Sequence, residues 1–343
     1  MFRSPNANPF PRVIGTFMGR DALSLLVSTL DLGFNDTVLL PAYLCREVLK
    51  PFLEKTNVQF HDLSPDLVVD PREIADRLGR DSFRLVYIIN YFGFLQPYRN
   101  EIKRICADRG VVLVEDCAHS LLTEGSGQTG DIVIYSFRKT LPLPDGGGIG
   151  MNMNKEVTTN FYPKIYSNIL SVLSLAKSLL KFRSETLSRS GISHRSETLL
   201  KSTRPANKKA IRILPMSSFA DSRLRNISYD GIIEARRRDF QFWQELAKRT
   251  DMFRPIFANL PSGVCPLGFP AIVHDRDALK LYLHMEGVHL KIHWHLPTAV
   301  GKDFVNSHKL STQMCTLPIY PELGSRERNA FQKLFHQKWL API

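Results

Sequence analysis

Lys139 stands in the run SFRKTLPLPDGGGIG, residues 136–150, directly after the apolar pattern DIVIY. A lysine at a strand end, partly desolvated and near other cations, has its amine pKa lowered and condenses with a carbonyl carbon. The glycines 146–148 that follow allow a backbone to approach a ligand or another subunit, or simply make a tight β-turn. A second stretch, VVLVEDCAHS, sets Asp116 at the end of an apolar run with His119 three residues on. That pair suits a carboxylate that must stay ionised beside a cationic ring nitrogen. Equally open are a helix N-cap for Asp116 and an ordinary satisfied polar role for His119. The third stretch is GRDAL, Gly19 to Leu23, at the start of a helical pattern. Unused backbone N–H groups and the helix dipole make such a start a site for phosphate, and Asp21 or its neighbours can cap the turn.

The elements that must position these residues follow a regular rhythm through the first 150 residues. GRDALSLLVSTLDLG has apolar residues at helical spacing, with Gly33 placed to close the helix. DTVLLP, VQFHDL, FRLVYIIN, VVLVEDC, DIVIYSF and GGIGMN read as strands, and REVLKPFLEKT, PREIADRLG and YRNEIKRICADRG as the helices between the earlier ones. Short, near-continuous apolar strands separated by amphipathic helices predict an α/β fold with a mostly parallel sheet sandwiched by helices. In such sheets ligands bind at the carboxyl ends of the strands, where Tyr91, Asp116 and Lys139 fall.

The middle of the chain breaks the rhythm. Ile165, Ile169, Val172, Leu173, Ala176, Leu179 and Leu180 make one apolar helix face. A Ser/Arg/Lys-rich stretch follows, in which RSETL occurs at 183–187 and again at 195–199, the composition of a solvated loop. The apolar face fits packing on the body or on a second subunit, or an interfacial membrane anchor flanked by basic residues. From ISYDGIIEARRRDFQFWQELAKR onward a long helix leads into a smaller C-terminal α+β domain. The expected division is 1–230 for a large α/β domain, with a basic insertion at about 156–214, and 231–343 for the small one.

A formal net charge of +12 points to anionic ligands, and most of the excess lies in residues 175–240. Cys45, Cys106, Cys117, Cys265 and Cys315 are scattered without a CxxC pair, which argues against a disulfide framework and a metal site and fits a cytoplasmic location. No signal-peptide core and no run of the roughly 18 apolar residues needed to cross a bilayer is present.

The order of these motifs resembles the DegT/StrS family of pyridoxal-phosphate (PLP) sugar aminotransferases, on the aspartate-aminotransferase fold. GRDALSLLVSTLDLGFNDTVLLPAYLC is similar to the family's opening Gly-x-x-Ala-Leu helix and the strand after it. YIINYFG, VEDCAHS and SFRKTLPLPDGGG are similar to its later strand, acidic and lysine segments, and HWHLP and TLPIYPEL to its C-terminal ones. The resemblance implies that Lys139 holds the cofactor covalently and that Asp116 pairs with its ring nitrogen. It puts His119 beside the phenolic oxygen, and the backbone amides of Gly19, Arg20, Asp21 and Ala22 with the Ser136 hydroxyl at the phosphate. It implies a homodimer that takes an amino donor, glutamate, and a nucleotide-linked keto-sugar, in surface-polysaccharide or related biosynthesis. Nucleic acid is not an expected partner.

Three departures stand out. Lys139 follows Ser136 by three positions where the family has five, and the register recovers at Asp145 and Gly146. Where the family stacks an aromatic on the ring, PAYLC offers Tyr43 and Cys45. The family's Gly-x-Asn-x-Arg element is replaced by MSSFADSRLRNIS. Two alternatives therefore stay open: a PLP-dependent sugar dehydratase or lyase, and a non-catalytic relative that binds a partner or an acidic membrane through residues 160–215.

Overall fold

The computed structural model describes residues 13–154, 156–157, 159–187, 213–285, 290–325, 327–329 and 331, and for 178–187 the backbone alone. The second RSETL and the rest of the basic stretch at 188–212 lie outside the described residues, as does the chain before residue 13. In chain order the first elements are β1 (Val13–Thr16), α1 (Gly19–Thr29), β2 (Thr37–Pro41), α2 (Arg46–Leu53), β3 (Asn57–His61), α3 (Pro71–Arg80) and β4 (Leu85–Ile89). Next come α4 (Arg99–Ala107), β5 (Val112–Asp116), β6 (Ile132–Tyr135), α5 (Phe137–Thr140), β7 (Gly147–Met151) and α6 (Lys164–Leu187). The remainder is α7 (Ser218–Asn226), α8 (Tyr229–Ala247), β8 (Phe253–Pro255), β9 (Phe269–Val273), α9 (Arg276–Met285), α10 (Val305–Gln313) and β10 (Met314–Leu317). The mixed α/β class expected from the sequence is present, with mostly parallel strands and a smaller C-terminal sheet.

The chain forms two compact units, Met1–Asp31 with Ile134–Ile227, and Leu32–Val133 with Ser228–Ile343. This partition differs from the linear one at residue 230. In the first unit β1 pairs antiparallel with β7, Val13 opposite Gly150 and Thr16 opposite Gly147. The segment at 213–217 is tied to the same place: Phe17 N–H donates to the Leu214 carbonyl at 2.8 Å and Met216 N–H to the Gly15 carbonyl at 3.2 Å. Helix α1 closes at Leu30, earlier than the sequence pattern suggests, because Asp31 takes a left-handed backbone (φ 50°). Gly33 is therefore not its cap; its amide donates to the Asp36 carboxylate at 2.8 Å.

Helix α6 forms as expected, but among the described side chains its apolar face is exposed. Ser167 and Ser171 are buried, while Ile165, Tyr166, Ile169, Val172 and Leu173 are each at least half exposed. On that side Ser171 and Asn168 meet polar partners, although the Ser167 hydroxyl is buried without one: the Ser217 hydroxyl donates to Asp145 and lies 3.3 Å from Ser171 Oγ, and Ser218 N–H donates to Asn168 Oδ1 at 2.8 Å. Once α6 has turned that side in, helical periodicity sends the aliphatic stripe out.

In the second unit β5, β4, β2 and β3 lie side by side in that order, all parallel. Every residue of β4 is buried, as expected of an interior parallel strand. The helix signals behave as written: Asp70 caps α3 by accepting from Arg72 N–H, Pro71 opens it, and Ile74 and Leu78 face the core. Parallel pairing in register sets Ile89 opposite Asp116, so the carboxyl ends of β4 and β5 meet on one edge. A three-stranded antiparallel sheet, β10-β9-β8, packs with α8 around Phe240, Trp243, Phe253, Phe269 and Phe331.

Candidate active site

The candidate residues fall into two sets, one in each unit. In the first, Met18 precedes α1, and its N–H donates to Asp21 Oδ2 at 2.9 Å, so Asp21 does cap the turn. The amides of Asp21 and Ala22 both donate to the Met18 carbonyl, at 3.0 and 3.3 Å. This corrects the expectation that these two amides serve a phosphate. They belong to the helix's own ladder, which cannot reach back to the first amide, Gly19.

Ser136 sits against that first residue. A Cβ placed on Gly19 would lie 3.5 Å from Ser136 Cβ and 3.7 Å from its Oγ. β7 passes closer still, since a Cβ on Gly147 would fall 2.3 Å from the Met18 carbonyl carbon and 2.4 Å from Gly19 N. Only glycine fits there, so β7 packs backbone to backbone against the start of α1, with the Ser136 hydroxyl beside Gly19. Partial desolvation and the neighbouring Arg20 cation hold the Arg138 guanidinium below its ordinary pKa, which marks a local concentration of positive charge. A helix start, a hydroxyl and two guanidinium groups are the kinds of group that suit an anion.

Lys139 lies on α5, a single helical turn where the sequence suggested an open one. Its amide donates to the Ser136 carbonyl at 3.2 Å, and Leu141 N–H donates to the Phe137 carbonyl at 2.8 Å. Phe137 anchors the turn, buried and stacked at 5.9 Å on Tyr135, while Lys139 is exposed. The two-residue shortening thus gives a helical turn in which Ser136 and Lys139 stand about one turn apart. Asp145 is fully buried and holds the glycine run in place: Oδ1 accepts from Ser217 N–H at 3.0 Å and Oδ2 from its hydroxyl at 2.7 Å. Burial raises its carboxyl pKa, against the pull of these donors.

In the second unit Asp116 ends β5 and is almost wholly buried. Its Oδ1 accepts from Ala118 N–H and its Oδ2 from the Tyr87 hydroxyl, both at 2.8 Å. Glu115, pointing the other way, accepts from Asn90 Nδ2 and from the amides of Gly127, Thr129 and Gly130, which ties down the loop after β5. His119 Nδ1 accepts from Phe92 N–H at 3.4 Å, and its ring lies 5.4 Å from Phe92, 5.3 Å from Trp294 and 5.8 Å from His293. Tyr43 joins the same aromatic group, 5.5 Å from Trp294 and 6.0 Å from Tyr91. Its hydroxyl is buried without a well-formed hydrogen bond, and burial pushes its pKa up more strongly than the nearby Trp294 backbone and Arg276 lower it. Cys45, the other residue offered by PAYLC, precedes α2, and its carbonyl accepts from Val48 and Leu49 N–H. The structure thus brings Gly19 and Ser136 together in one unit, and Tyr43 and His119 around Trp294 in the other. Tyr87 and Trp294 were not singled out from sequence; a lone hydroxyl inside the otherwise aliphatic LVYII was the available signal for Tyr87.

Residues 11–177 match the DegT/DnrJ/EryC1/StrS aminotransferase family. Over that span the chain is similar to this family. Among similar proteins, a dTDP-3-amino-3,6-dideoxy-alpha-D-galactopyranose transaminase of Aneurinibacillus thermoaerophilus is 23% identical over 334 residues, 92% of this chain and 82% of the relative. The aminotransferase TlmJ of Streptoalloteichus hindustanus superposes with a TM-score of 0.66 at 18% identity, covering 94% of this chain and 86% of that one. NtdA of Bacillus subtilis, whose structure has the cofactor PMP bound, gives 0.66 at 18% identity over 95% and 72%. These likenesses show that the chain has the aminotransferase fold. The enzyme class expected from the sequence is that of the family, and the expected cofactor agrees with the NtdA structure.

Taken separately, each set carries groups that suit part of pyridoxal phosphate. In the first unit the start of α1 at Gly19 with the Ser136 hydroxyl suits a phosphate. In the second the fixed carboxylate of Asp116 suits a protonated ring nitrogen, and the buried Tyr43 hydroxyl lacks a partner that a polar ligand would provide.

Proposed function

We propose that this chain transfers an amino group from glutamate to a nucleotide-linked keto-sugar, as a cytoplasmic homodimer serving surface-polysaccharide or related biosynthesis. The observation that carries the reading is Asp116: a buried carboxylate whose two oxygens each accept a fixed hydrogen bond. Such a group is oriented for a cationic partner. Gly19, Arg20 and Ser136 hold the phosphate, Asp116 the ring nitrogen, and His119 and Tyr43 lie at the ring, with Asp21 capping the helix start. When bound, pyridoxal phosphate supplies an electron sink for charge developing at the carbon that loses its proton. Lys139 Nζ would hold the aldehyde carbon at rest and would carry the proton that leaves the substrate. The chain's net charge of +12 favours approach of phosphorylated ligands, and the transaminase of A. thermoaerophilus supports a dTDP-linked sugar as the acceptor class. The exposed aliphatic stripe of α6 supports the homodimer, because a soluble monomer rarely leaves such a stripe uncovered.

The test is the first half-reaction. Protein loaded with pyridoxal phosphate and mixed with glutamate should release one equivalent of 2-oxoglutarate per site, and a dTDP-linked keto-sugar added afterwards should gain an amino group by mass. Absence of 2-oxoglutarate would overturn the reading.

A further inference from the structure

We propose that Tyr87 is a positioning residue which, by donating its hydroxyl proton to Asp116 Oδ2, fixes the plane of that carboxylate and restrains its proton affinity toward the cofactor's ring nitrogen. The proposal rests on the reading of Asp116 given above and deepens it.

The placement follows from the sheet. Tyr87 is opposite Val114 in the parallel β4–β5 register, and Ile89 is opposite Asp116. Tyr87 and Asp116 therefore lie two positions apart along neighbouring strands and share a face. The long phenol ring spans that diagonal and ends 2.8 Å from Oδ2. Phe52 meets the Tyr87 ring edge-on at 6.0 Å, and both side chains are fully buried, so the ring is held in one orientation. An unpartnered hydroxyl in a strand buried on both faces would be costly, so the pairing with Asp116 is maintained.

The surroundings keep the direction of this bond fixed. Among the described residues, the titratable groups that feel the charge of Asp116 include Tyr87 and Tyr91 from the β4 side and Cys117 from its own turn. Burial, the leading cause in each, and the charge of Asp116 raise all three well above their ordinary values. None of them competes for the negative charge, and Tyr87 remains a donor throughout the working pH range. A donor on Oδ2 and the Ala118 N–H on Oδ1 commit one acceptor site on each oxygen. Removing the Tyr87 donor leaves the carboxylate less stabilised and more basic.

The experiment compares the parent protein with Tyr87→Phe, loaded with ¹⁵N-labelled pyridoxal phosphate. In Tyr87→Phe the acid limb of the kcat/KM profile should move up by about one pH unit, the effect of losing one hydrogen bond to a charge. The ¹⁵N resonance of the ring nitrogen should shift with it, and affinity for pyridoxal phosphate should fall by about threefold to tenfold. Ile88→Val, which loosens the same strand without touching the bond, should move neither limb nor resonance. If Tyr87→Phe fails to fold, replacement of Tyr87 by 3-fluorotyrosine tests the same point, since its stronger donor should shift the limb to lower pH. An unchanged limb and resonance in a variant that still binds the cofactor would overturn the role of Tyr87 alone. Failure of the parent to bind pyridoxal phosphate would overturn the underlying reading, and this proposal with it.

Discussion

Gly147 has no room for even one methyl group, because the Met18 carbonyl carbon and the Gly19 nitrogen already occupy that space. Its place in the chain is dictated by backbone contact with the first amide of α1. Gly147→Ala should lower stability by about 1–3 kcal/mol, the usual cost of overpacking, and weaken binding of pyridoxal phosphate in a fluorescence titration. Gly33→Ala provides the contrast: nothing lies within 4 Å of its Cβ position, and it should leave both quantities unchanged. At this scale side-chain type and spacing singled out Lys139, Asp116 and Ser136 as candidates in the sequence. It was silent on Tyr87, since a tyrosine in a strand satisfies β propensity and its hydroxyl partner is set by the register with β5.

Among the elements, the parallel strands and the helices between them were legible because each carries a clear period and its own caps. Helix α5 was not, since four residues show no period, and the same holds for the Asp31 turn that ends α1. Helix α6 teaches a further point. Period 3.6 identified which residues share a face, but the hydrogen bonds of Ser171, Ser217 and Asp145 decided which face turned inward. The buried Asp145 yields a pH prediction. Burial raises its carboxyl pKa in the folded chain above the ordinary carboxylate value, so the native state binds more protons than the unfolded one between those two values. Stability contributed by this group is present at low pH and lost as pH rises through the raised value. Asp145→Asn keeps an acceptor for the Ser217 amide and removes the buried charge. Its urea midpoint should therefore fall less than the parent's, relative to its own value at pH 4, as pH is raised to 7. An identical pH dependence would assign the effect to other groups.

For the molecule as a whole, the exposed stripe of α6 is the feature that the isolated chain does not explain. Ile169 and Val172 are 51% and 64% exposed, so a charge at either position should change monomer stability by no more than about 0.5 kcal/mol. Ile169→Asp should nevertheless shift the mass measured by light scattering from dimer toward monomer. A parent that is itself monomeric would remove the dimer from the account and return the stripe to the alternative of an acidic membrane surface. The central claim, however, concerns Lys139. Protein loaded with pyridoxal phosphate should be yellow, and borohydride reduction followed by peptide mass mapping should place one phosphopyridoxyl group on Lys139 in the parent and none in Lys139→Ala. A colourless protein that takes up no added cofactor, or a label on any other lysine, would contradict the account.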